Sequence, residues 1–325
     1  MLDDLLVLEL ASVLAGPSVG QFFAELGAAV IKVENPRTKG DVTRRWQAPR
    51  VDDAEESDDR SAYFCCCNSG KQSIAINLST EAGQDVLHEL AGESDVVLAS
   101  YRPGSAEALG ADYETLSAVN PELIYGHVTG YGPDRARAGY DAVIQAESGF
   151  MHMNGAADGP PTKLPVALMD VLAAHQLKEG LLVALLSRER DGDGAYVPVS
   201  LFQAAVSGLV NQATNWLVAG HSPQRMGSAH PNIAPYGTPY TTADDQSIVL
   251  AVGTDRQFAA LCEILGRPDL ANDPRFATNA DRVEHRDALT QILNAQIGRF
   301  EAEDFLTALH EHNVPAGKVR DVPAV

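Results

Sequence analysis

One carboxylate in the sequence stands where it could do chemistry. An extended apolar segment, residues 164–169, ends at Asp170, and a helix-like pattern follows over residues 171–190. The start of a helix has unpaired backbone N–H groups and partial positive charge, so we expect it to hold this carboxylate in its ionised form. An ionised Asp at the mouth of a cleft can attack an acyl carbon. The alternative is a plain N-cap, since Asp is among the preferred capping residues, and the pattern taken alone favours that alternative.

Motifs for other chemistries are missing from the sequence or have the wrong spacing. No G-x-G-x-x-G or G-x-x-x-x-G-K-[ST] occurs, and residues 16–20 only approach the first of these. His310 and His312 lie two residues apart on a predicted helix and therefore point to different faces. We expect no metal site.

Length and charge limit the classes of protein to consider. With 325 residues, two domains are expected. The net charge of −20 argues against binding to nucleic acid or to an anionic membrane surface. An anionic substrate would therefore need a local cluster of Arg and Lys.

Cysteine usage and the N-terminus predict a soluble, cytoplasmic protein. Cys65, Cys66, Cys67 and Cys262 match no disulfide or C-x-x-C pattern, which predicts reduced and largely buried thiols. Residues 1–4 are acidic where a signal peptide would be basic. The longest apolar run of the long helix, residues 181–186, is too short to span a bilayer.

The elements that must position Asp170 alternate between strand and helix over the first two-thirds of the chain. This alternation predicts an α/β fold with a largely parallel sheet. The predicted strands are residues 5–10, 30–33, 74–78, 95–99, 123–129 and 196–200. Ligands of such sheets bind outside the carboxyl ends of the strands. We therefore expect three turns, at residues 12–15, 100–104 and 129–141, to meet on one rim with Asp170.

The remaining segments predict a second, smaller domain. Residues 1–200 form the large domain, residues 201–225 a linker helix and residues 226–315 a small α+β domain, in which residues 227–237 are a loop and residues 281–309 have helical spacing. Ser79 is the expected N-cap of a helix over residues 80–91, and the acidic run at residues 52–56 is expected to be a solvated loop.

Short segments in collinear order resemble the family III CoA-transferases, the formyl-CoA, carnitine-CoA and succinyl-CoA-dependent type, which share a superfamily with α-methylacyl-CoA racemase. The matching segments are LAGP at 14–17, VIKVE at 30–34, GDVTR at 40–44, KQSI at 71–74, YRPG at 101–104, LG at 109–110, NP at 120–121, IY at 124–125, GYG at 130–132, GYD at 139–141 and QA at 145–146. They run through the first half of the chain, and so many in one order are more specific than any single motif.

The resemblance implies a Rossmann-like large domain, an interlocked homodimer and a single Asp nucleophile, which matches Asp170. It implies CoA contacts at Val13, Leu14, Ala15, Ile76, Asn77, Leu78, Ser100, Tyr101, Arg102, Gly139, Tyr140 and Asp141. Relatives continue past the position of Val325 and return to the large domain. Residues 316–325 are therefore expected to begin that return in a truncated copy.

The activity implied by the resemblance is an acyl-CoA:carboxylate CoA-transferase that works through an aspartyl anhydride and an aspartyl thioester. Its substrates would be an acyl-CoA and a small carboxylic acid, with CoA as co-substrate and no other cofactor. The loop at residues 228–232 looks like that of members using succinyl-CoA or other dicarboxylic partners. His230 and Asn232 are therefore expected to touch the acyl carboxylate.

Alternatives within the same fold stay open. Related racemases have a His where this chain has Tyr140, and a phenol with a pKa of about 10 is a poor base at neutral pH, which favours transfer. A non-catalytic CoA-binding dimer is the second alternative, and a CoA-linked hydrolase is the third.

Overall fold

The computed structural model describes residues 1–47 and 60–325, so the acidic run at residues 52–56 lies outside the described residues. The chain divides into two compact units. The large unit holds residues 1–150 and 163–213, and the small unit holds residues 151–162 and 214–325. The predicted boundaries at residues 200 and 225 fall on either side of the observed division at residue 213. The assignment of residues 151–162 to the small unit was not predicted.

The large unit is built on a parallel six-stranded sheet, which confirms the predicted α/β fold. Its strands are β1 Leu6–Leu10, β2 Ala29–Glu34, β3 Gln72–Ala75, β4 Val96–Ala99, β5 Ile124–Thr129 and β6 Ala195–Ser200. They lie in the order β3-β2-β1-β4-β5-β6, the doubly wound order of a Rossmann-like sheet. The order reverses between β1 and β4, so a crevice is expected outside the carboxyl ends of these two strands.

Helices cover both faces of this sheet. The α-helices of the described residues are α1 Ala15–Glu25, α2 Ala62–Cys65, α3 Glu81–Gly92, α4 Ser105–Ala108, α5 Tyr113–Val119, α6 Asp141–Glu147, α7 Phe150–Met153, α8 Leu168–Asp191, α9 Leu201–Gly208, α10 Val210–Ala219, α11 Asp255–Ile264, α12 Asn279–Glu284, α13 Arg286–Ile297 and α14 Ala302–Glu311. Where the structure describes the chain, none of its helices combines the length and apolarity needed to cross a membrane. The helix predicted after residue 200 is two helices, α9 and α10.

The cap of α3 lies one residue later than predicted. Thr80, and not Ser79, is the N-cap, and its hydroxyl accepts a hydrogen bond from the Gly83 backbone N–H. Ser79 instead bonds the side chain of Asn77. Two adjacent hydroxyl residues carry the same capping signal, so the sequence alone does not separate them.

Helix α8 is seated on the sheet by close packing. Leu177 and Leu181 are fully buried, and a Cβ at Gly126 of β5 would lie 3.2 Å from the side chain of each. The missing side chain lets the helix approach the strand closely. Because a crossover helix runs antiparallel to its strands, α8 begins at the carboxyl edge of the sheet.

The small unit has its own antiparallel sheet of β7 Tyr236–Thr241, β8 Ser247–Ala251 and β9 Ala316–Lys318. Strand β7 was not predicted, because Gly237 and Pro239 interrupt its strand pattern; edge strands tolerate such residues. Residues 316–318 pair with β8. A return of the chain to the large domain from this segment stays a prediction. The predicted helical region at 281–309 is divided among α12, α13 and α14.

A fully buried arginine ties the helices of the small unit to the segment before β7. The Arg282 side chain is 0% exposed; it donates to the carbonyls of Ala234 and Phe276, both at 2.9 Å, and pairs with Asp255 at 2.7 Å. Its guanidinium also lies 4.5 Å from the centre of the Phe258 ring. Buried carbonyls that lose such a donor keep their full desolvation cost.

We predict that Arg282→Met destabilises the protein by about 2–4 kcal/mol, because two buried carbonyls lose their donor. Thermal unfolding followed by circular dichroism measures the effect. Arg256→Met, on the exposed face of α11, is the matched control and should change the unfolding midpoint little. Equal midpoints for the two variants would contradict this account of Arg282.

Candidate active site

Asp170 is the third residue of α8 and not its N-cap. The N-cap position belongs to Ala167, which has no side-chain acceptor. The first turn of α8 is instead bonded by a second carboxylate, since the Met169 backbone N–H donates to Asp141 at 2.9 Å. The simple capping role is thus filled by another residue.

Asp141 also fixes the segment that leads into α8. It is the first residue of α6 and is buried, and Gln145 on the same helix donates to it at 2.8 Å. The side-chain amide oxygen of Gln145, Oε1, accepts a hydrogen bond from the Leu164 backbone N–H at 2.8 Å. Residues 164–169 are therefore held through Gln145 and Asp141 before the chain reaches Asp170.

The electrostatic environment of Asp170 favours its protonated form. Burial, and then the nearby charge of Asp141, raise the pKa of Asp170 from 3.8 to about 7. The helix start was expected to hold this carboxylate ionised; with a pKa of about 7, the Asp170 side chain is instead only partly ionised at neutral pH. Desolvation of the carboxylate outweighs the partial charge at the start of α8.

The three predicted turns meet around one cavity of about 400 Å³, and Asp170 lies on its wall. We call it the arginine-lined cavity. Its lining residues are Ser12, Val13, Ser100, Tyr101, Arg102, Pro103, Val128, Thr129, Gly130, Arg135, Arg137, Ala138, Gly139, Tyr140, Asp170 and Leu201. The turns follow β1, β4 and β5, so the cavity lies at the carboxyl edge where the strand order reverses.

Arg102, Arg135 and Arg137 give this cavity a local positive charge in a chain of net charge −20. Arg137 pairs with Glu147, and its guanidinium lies 4.5 Å from the centre of the Tyr131 ring. Guanidinium groups suit the phosphates of a ligand such as CoA. Arg135 and Arg137 were not predicted as site residues. The signal that could have identified them is an R-x-R pair within the predicted turn at residues 129–141.

A second cavity of about 430 Å³ also has Asp170 in its wall, and we call it the aromatic cavity. Its lining residues are Val13, Leu14, Trp46, Tyr63, Cys66, Tyr140, Asp141, Ala142, Lys163, Pro165, Val166, Ala167 and Asp170. The rings of Trp46 and Tyr63 pack edge to face at 5.1 Å. Burial, and then the charge of Asp170, raise the pKa of Tyr63 to about 12, so this phenol stays neutral.

Most of the predicted CoA contacts gather at these two cavities. Val13, Leu14, Ser100, Tyr101, Arg102, Gly139, Tyr140 and Asp141 line one or both of them. Among the described residues, neither cavity is lined by the other four, which are Ala15, Ile76, Asn77 and Leu78. Ala15, Ile76 and Leu78 are buried in the core. A CoA contact at these four residues stays a prediction.

His230 and Asn232 lie in the small unit before β7. The Asn232 backbone N–H donates to His230 Nδ1 at 3.1 Å, and the His230 ring packs against Tyr236 at 5.1 Å. Asn279 and Arg286 hold the same loop by donating to the carbonyls of Asn232 and Ile233, at 2.9 and 3.2 Å. Contact of His230 or Asn232 with a substrate stays a prediction.

The four cysteines are free thiols, but their burial differs from the prediction. Cys67 and Cys262 are buried, whereas Cys65 and Cys66 are exposed. In residues 1–47 and 60–325, no group of three or more His, Cys, Asp or Glu side chains is arranged to hold a metal ion.

The chain is similar to known proteins over nearly its whole length. Residues 2–325 match the model of CoA-transferase family III. The chain is 40% identical to the succinate–glutarate CoA-transferase of Agrobacterium fabrum, over 99% of this chain and 80% of that protein. It is 38% identical to the acetyl-CoA:oxalate CoA-transferase of Acetobacter aceti, over 98% of this chain and 81% of that protein.

A solved structure is similar over nearly the whole chain. A CAIB/BAIF family protein from Brucella suis has a TM-score of 0.85 and 42% identity, and the match covers 99% of this chain and 84% of that one. The chain therefore belongs to the family III CoA-transferases.

We predict that Asp170→Asn is more stable than the wild type, by an amount that grows as the pH rises. A carboxyl whose pKa is raised from 3.8 to about 7 on folding favours the folded state below pH 3.8 and loses that contribution progressively up to about pH 7. The neutral amide of Asn does not titrate, so the stability of the variant lacks this pH dependence. The difference in free energy of unfolding between the variant and the wild type should therefore grow by about 2–4 kcal/mol between about pH 5 and about pH 8.

Thermal unfolding midpoints at both pH values measure this effect. Asp193→Asn, in the exposed turn after α8, is the charge-matched control and should show no such growth. An advantage of Asp170→Asn that is the same at both pH values would contradict the account of burial.

Proposed function

We propose that this chain is an acyl-CoA:carboxylate CoA-transferase that takes succinyl-CoA or another dicarboxylic acyl-CoA as donor. One observation carries the proposal: Asp170 lies on the wall shared by the arginine-lined and aromatic cavities. The first cavity suits the phosphates of CoA, and the second suits an acyl group. The names of the relatives, which act on succinate, glutarate and oxalate, support the choice of substrates.

In the first half of the proposed reaction, an Asp170 oxygen attacks the carbonyl carbon of the donor thioester. The C–S bond breaks, CoA leaves as its thiolate, and Asp170 is joined to the acyl group as a mixed anhydride. The thiolate then attacks the aspartyl carbonyl carbon. The donor acid leaves as a carboxylate, and Asp170 becomes a thioester of CoA.

The second half repeats these steps in reverse. The acceptor carboxylate attacks the aspartyl thioester, releases CoA thiolate and forms a new anhydride. The thiolate then attacks the acceptor's acyl carbon, which yields the new acyl-CoA and frees the Asp170 carboxylate. Each bond broken is replaced by one formed, so the two substrates supply every group that the reaction needs.

The buried position of Asp170 suits these steps. A carboxylate that is poorly solvated loses little hydration when it attacks, and a site that excludes water protects the anhydride and the thioester from hydrolysis. In this proposal the Asp170 carboxylate is the reactive form. Binding and turnover should therefore depend on its ionisation near neutral pH.

Further contacts belong to the same proposal. Ser100, Tyr101, Arg102, Gly139 and Tyr140 would bind CoA, and His230 with Asn232 would contact the acyl carboxylate. The active protein would be an interlocked homodimer. A racemase would instead need a base at residue 140 to move an α-proton, and a phenol does not favour that chemistry near neutral pH.

We predict that Asp170→Asn lowers CoA transfer from succinyl-CoA to glutarate by at least about 10³-fold, because the nucleophile is lost. Mass spectrometry of the product acyl-CoAs measures the rate. In the wild type supplied with succinyl-CoA, hydroxylamine should convert the acylated Asp170 to a hydroxamate in its peptide. Asp193→Asn serves again as control, and rapid transfer by Asp170→Asn would refute the proposed mechanism.

We predict that Asp141→Asn moves the acid limb of the pH profile of kcat/KM to lower pH. The charge of Asp141 is the second cause of the raised pKa of Asp170, so its removal lowers that pKa without abolishing the effect of burial. Asn can still accept the bond from the Met169 N–H. An acid limb that stays in place or moves to higher pH would contradict this coupling between the two carboxylates.

A further inference from the structure

Val13 has a backbone conformation that its side chain disfavours. Its φ is +74°, in the left-handed region that a β-branched residue rarely adopts. The same residue lines both cavities, as Asp170 does. Strained residues of this kind persist only where the surrounding structure determines them, and they cluster at functional sites.

Both backbone polar groups of Val13 are bonded by side chains from elsewhere in the large unit. Its N–H donates to the two carboxylate oxygens of Asp41, at 3.2 and 3.4 Å, and its carbonyl accepts from Cys67 Sγ at 3.3 Å. Asp41 is 5% exposed, and its own backbone N–H donates to Glu34 at 2.7 Å. Asp41 is thus held in place by a contact that does not involve Val13.

The Asp41 carboxylate belongs to a buried network with Glu9, Lys32 and Lys71. Lys32 is 1% exposed and pairs with Glu9 at 2.8 Å and with Asp41 at 3.0 Å. Lys71 pairs with the other oxygen of Glu9 at 2.6 Å. Two acids and two lysines balance in formal charge, which is the condition for burying such groups.

This network also holds the chain on both sides of Val13. Lys32 donates to the Ala11 carbonyl at 2.9 Å, and Lys71 donates to the Pro17 carbonyl at 2.8 Å. A Cβ at Gly20 would lie 1.9 Å from a Glu9 oxygen, so α1 leaves room for the network. Replacing buried ion pairs by apolar side chains is often neutral for stability. Apolar side chains, however, cannot form hydrogen bonds to the irregular backbone of this turn.

We infer that Asp41, supported by Glu9, Lys32 and Lys71, is a positioning residue that holds Val13 in its left-handed conformation beside Asp170. The inference rests on the proposed function, because it concerns the geometry of CoA transfer. Its alternative is that the network only stabilises the fold. A positioning role and a purely stabilising role predict different effects on kcat once residue 13 adopts its conformation without being held.

A double-mutant cycle between residues 41 and 13 separates these roles, because Asn adopts the left-handed region far more readily than Val. The two Asp41 oxygens serve the Val13 N–H, Lys32 and both donors of Thr43, whereas an Asn side chain has one acceptor oxygen for all of them. Asp41→Asn should therefore release Val13 and lower kcat by about tenfold when residue 13 is Val, but by less than about threefold in a Val13→Asn background. Asp112→Asn is the matched control. Asp112 caps α5 through Thr115, as Asp41 bonds Thr43, and its loss should leave kcat unchanged.

The same loss of kcat in both backgrounds, or a wild-type kcat for Asp41→Asn, would overturn the inference. If Asp41→Asn does not fold, Cys67→Ala takes its place in the cycle with the same expected sign, since it removes the bond at the Val13 carbonyl. Amide hydrogen exchange over residues 11–17 gives a readout that needs no turnover. Exchange should accelerate in Asp41→Asn and not in Asp112→Asn; unchanged exchange would also overturn the inference. A wild type without transferase activity would instead reject the proposed function.

Discussion

The burial of the Asp170 carboxyl next to Asp141 is the constraint on which the site depends. A helix start normally stabilises an ionised acid, yet here desolvation and a second acid favour the proton. This situation persists because α8 is held on the sheet by Leu177 and Leu181 over Gly126, and because Asp141 bonds the Met169 N–H. The packing of the helix therefore sets the chemistry of its first turn.

Two cavities at this edge of the sheet share the Asp170 side chain. Three arginines line one of them, and the rings of Trp46 and Tyr63 line the other. In a chain of net charge −20, the arginine cluster is a local exception that an anionic ligand requires. The order of the strands brings the arginine-bearing turns together. The turns after β1, β4 and β5 are neighbours because β1 and β4 are adjacent in the sheet.

Features that depend on local pattern were predictable from the sequence. The apolar strands of the parallel sheet, the presence of a long helix beginning close to Asp170 and the meeting of three turns follow from periodicity and from the rule that ligands bind at the carboxyl edge. The resemblance to a family added the expected role of Asp170, and the family itself is confirmed by the match over residues 2–325.

Features that depend on tertiary contact were not predictable. The protonation of Asp170 follows from burial and from Asp141, which lies 29 positions earlier in the chain. Trp46, Tyr63 and Lys163 reach the aromatic cavity from separate segments, and no local pattern marks them. Strand β9 has three residues, too few to show a period, and its pairing with β8 spans more than sixty residues of sequence.

The assignment of residues 151–162 to the small unit has a consequence for experiments that dissect the protein. The backbone passes between the two units three times, after residues 150, 162 and 213. Neither unit is therefore a single uninterrupted stretch of polypeptide. A gene fragment ending near residue 213 would encode the whole large unit together with residues 151–162 of the small unit. A single protease cut between the units would leave two peptide connections intact.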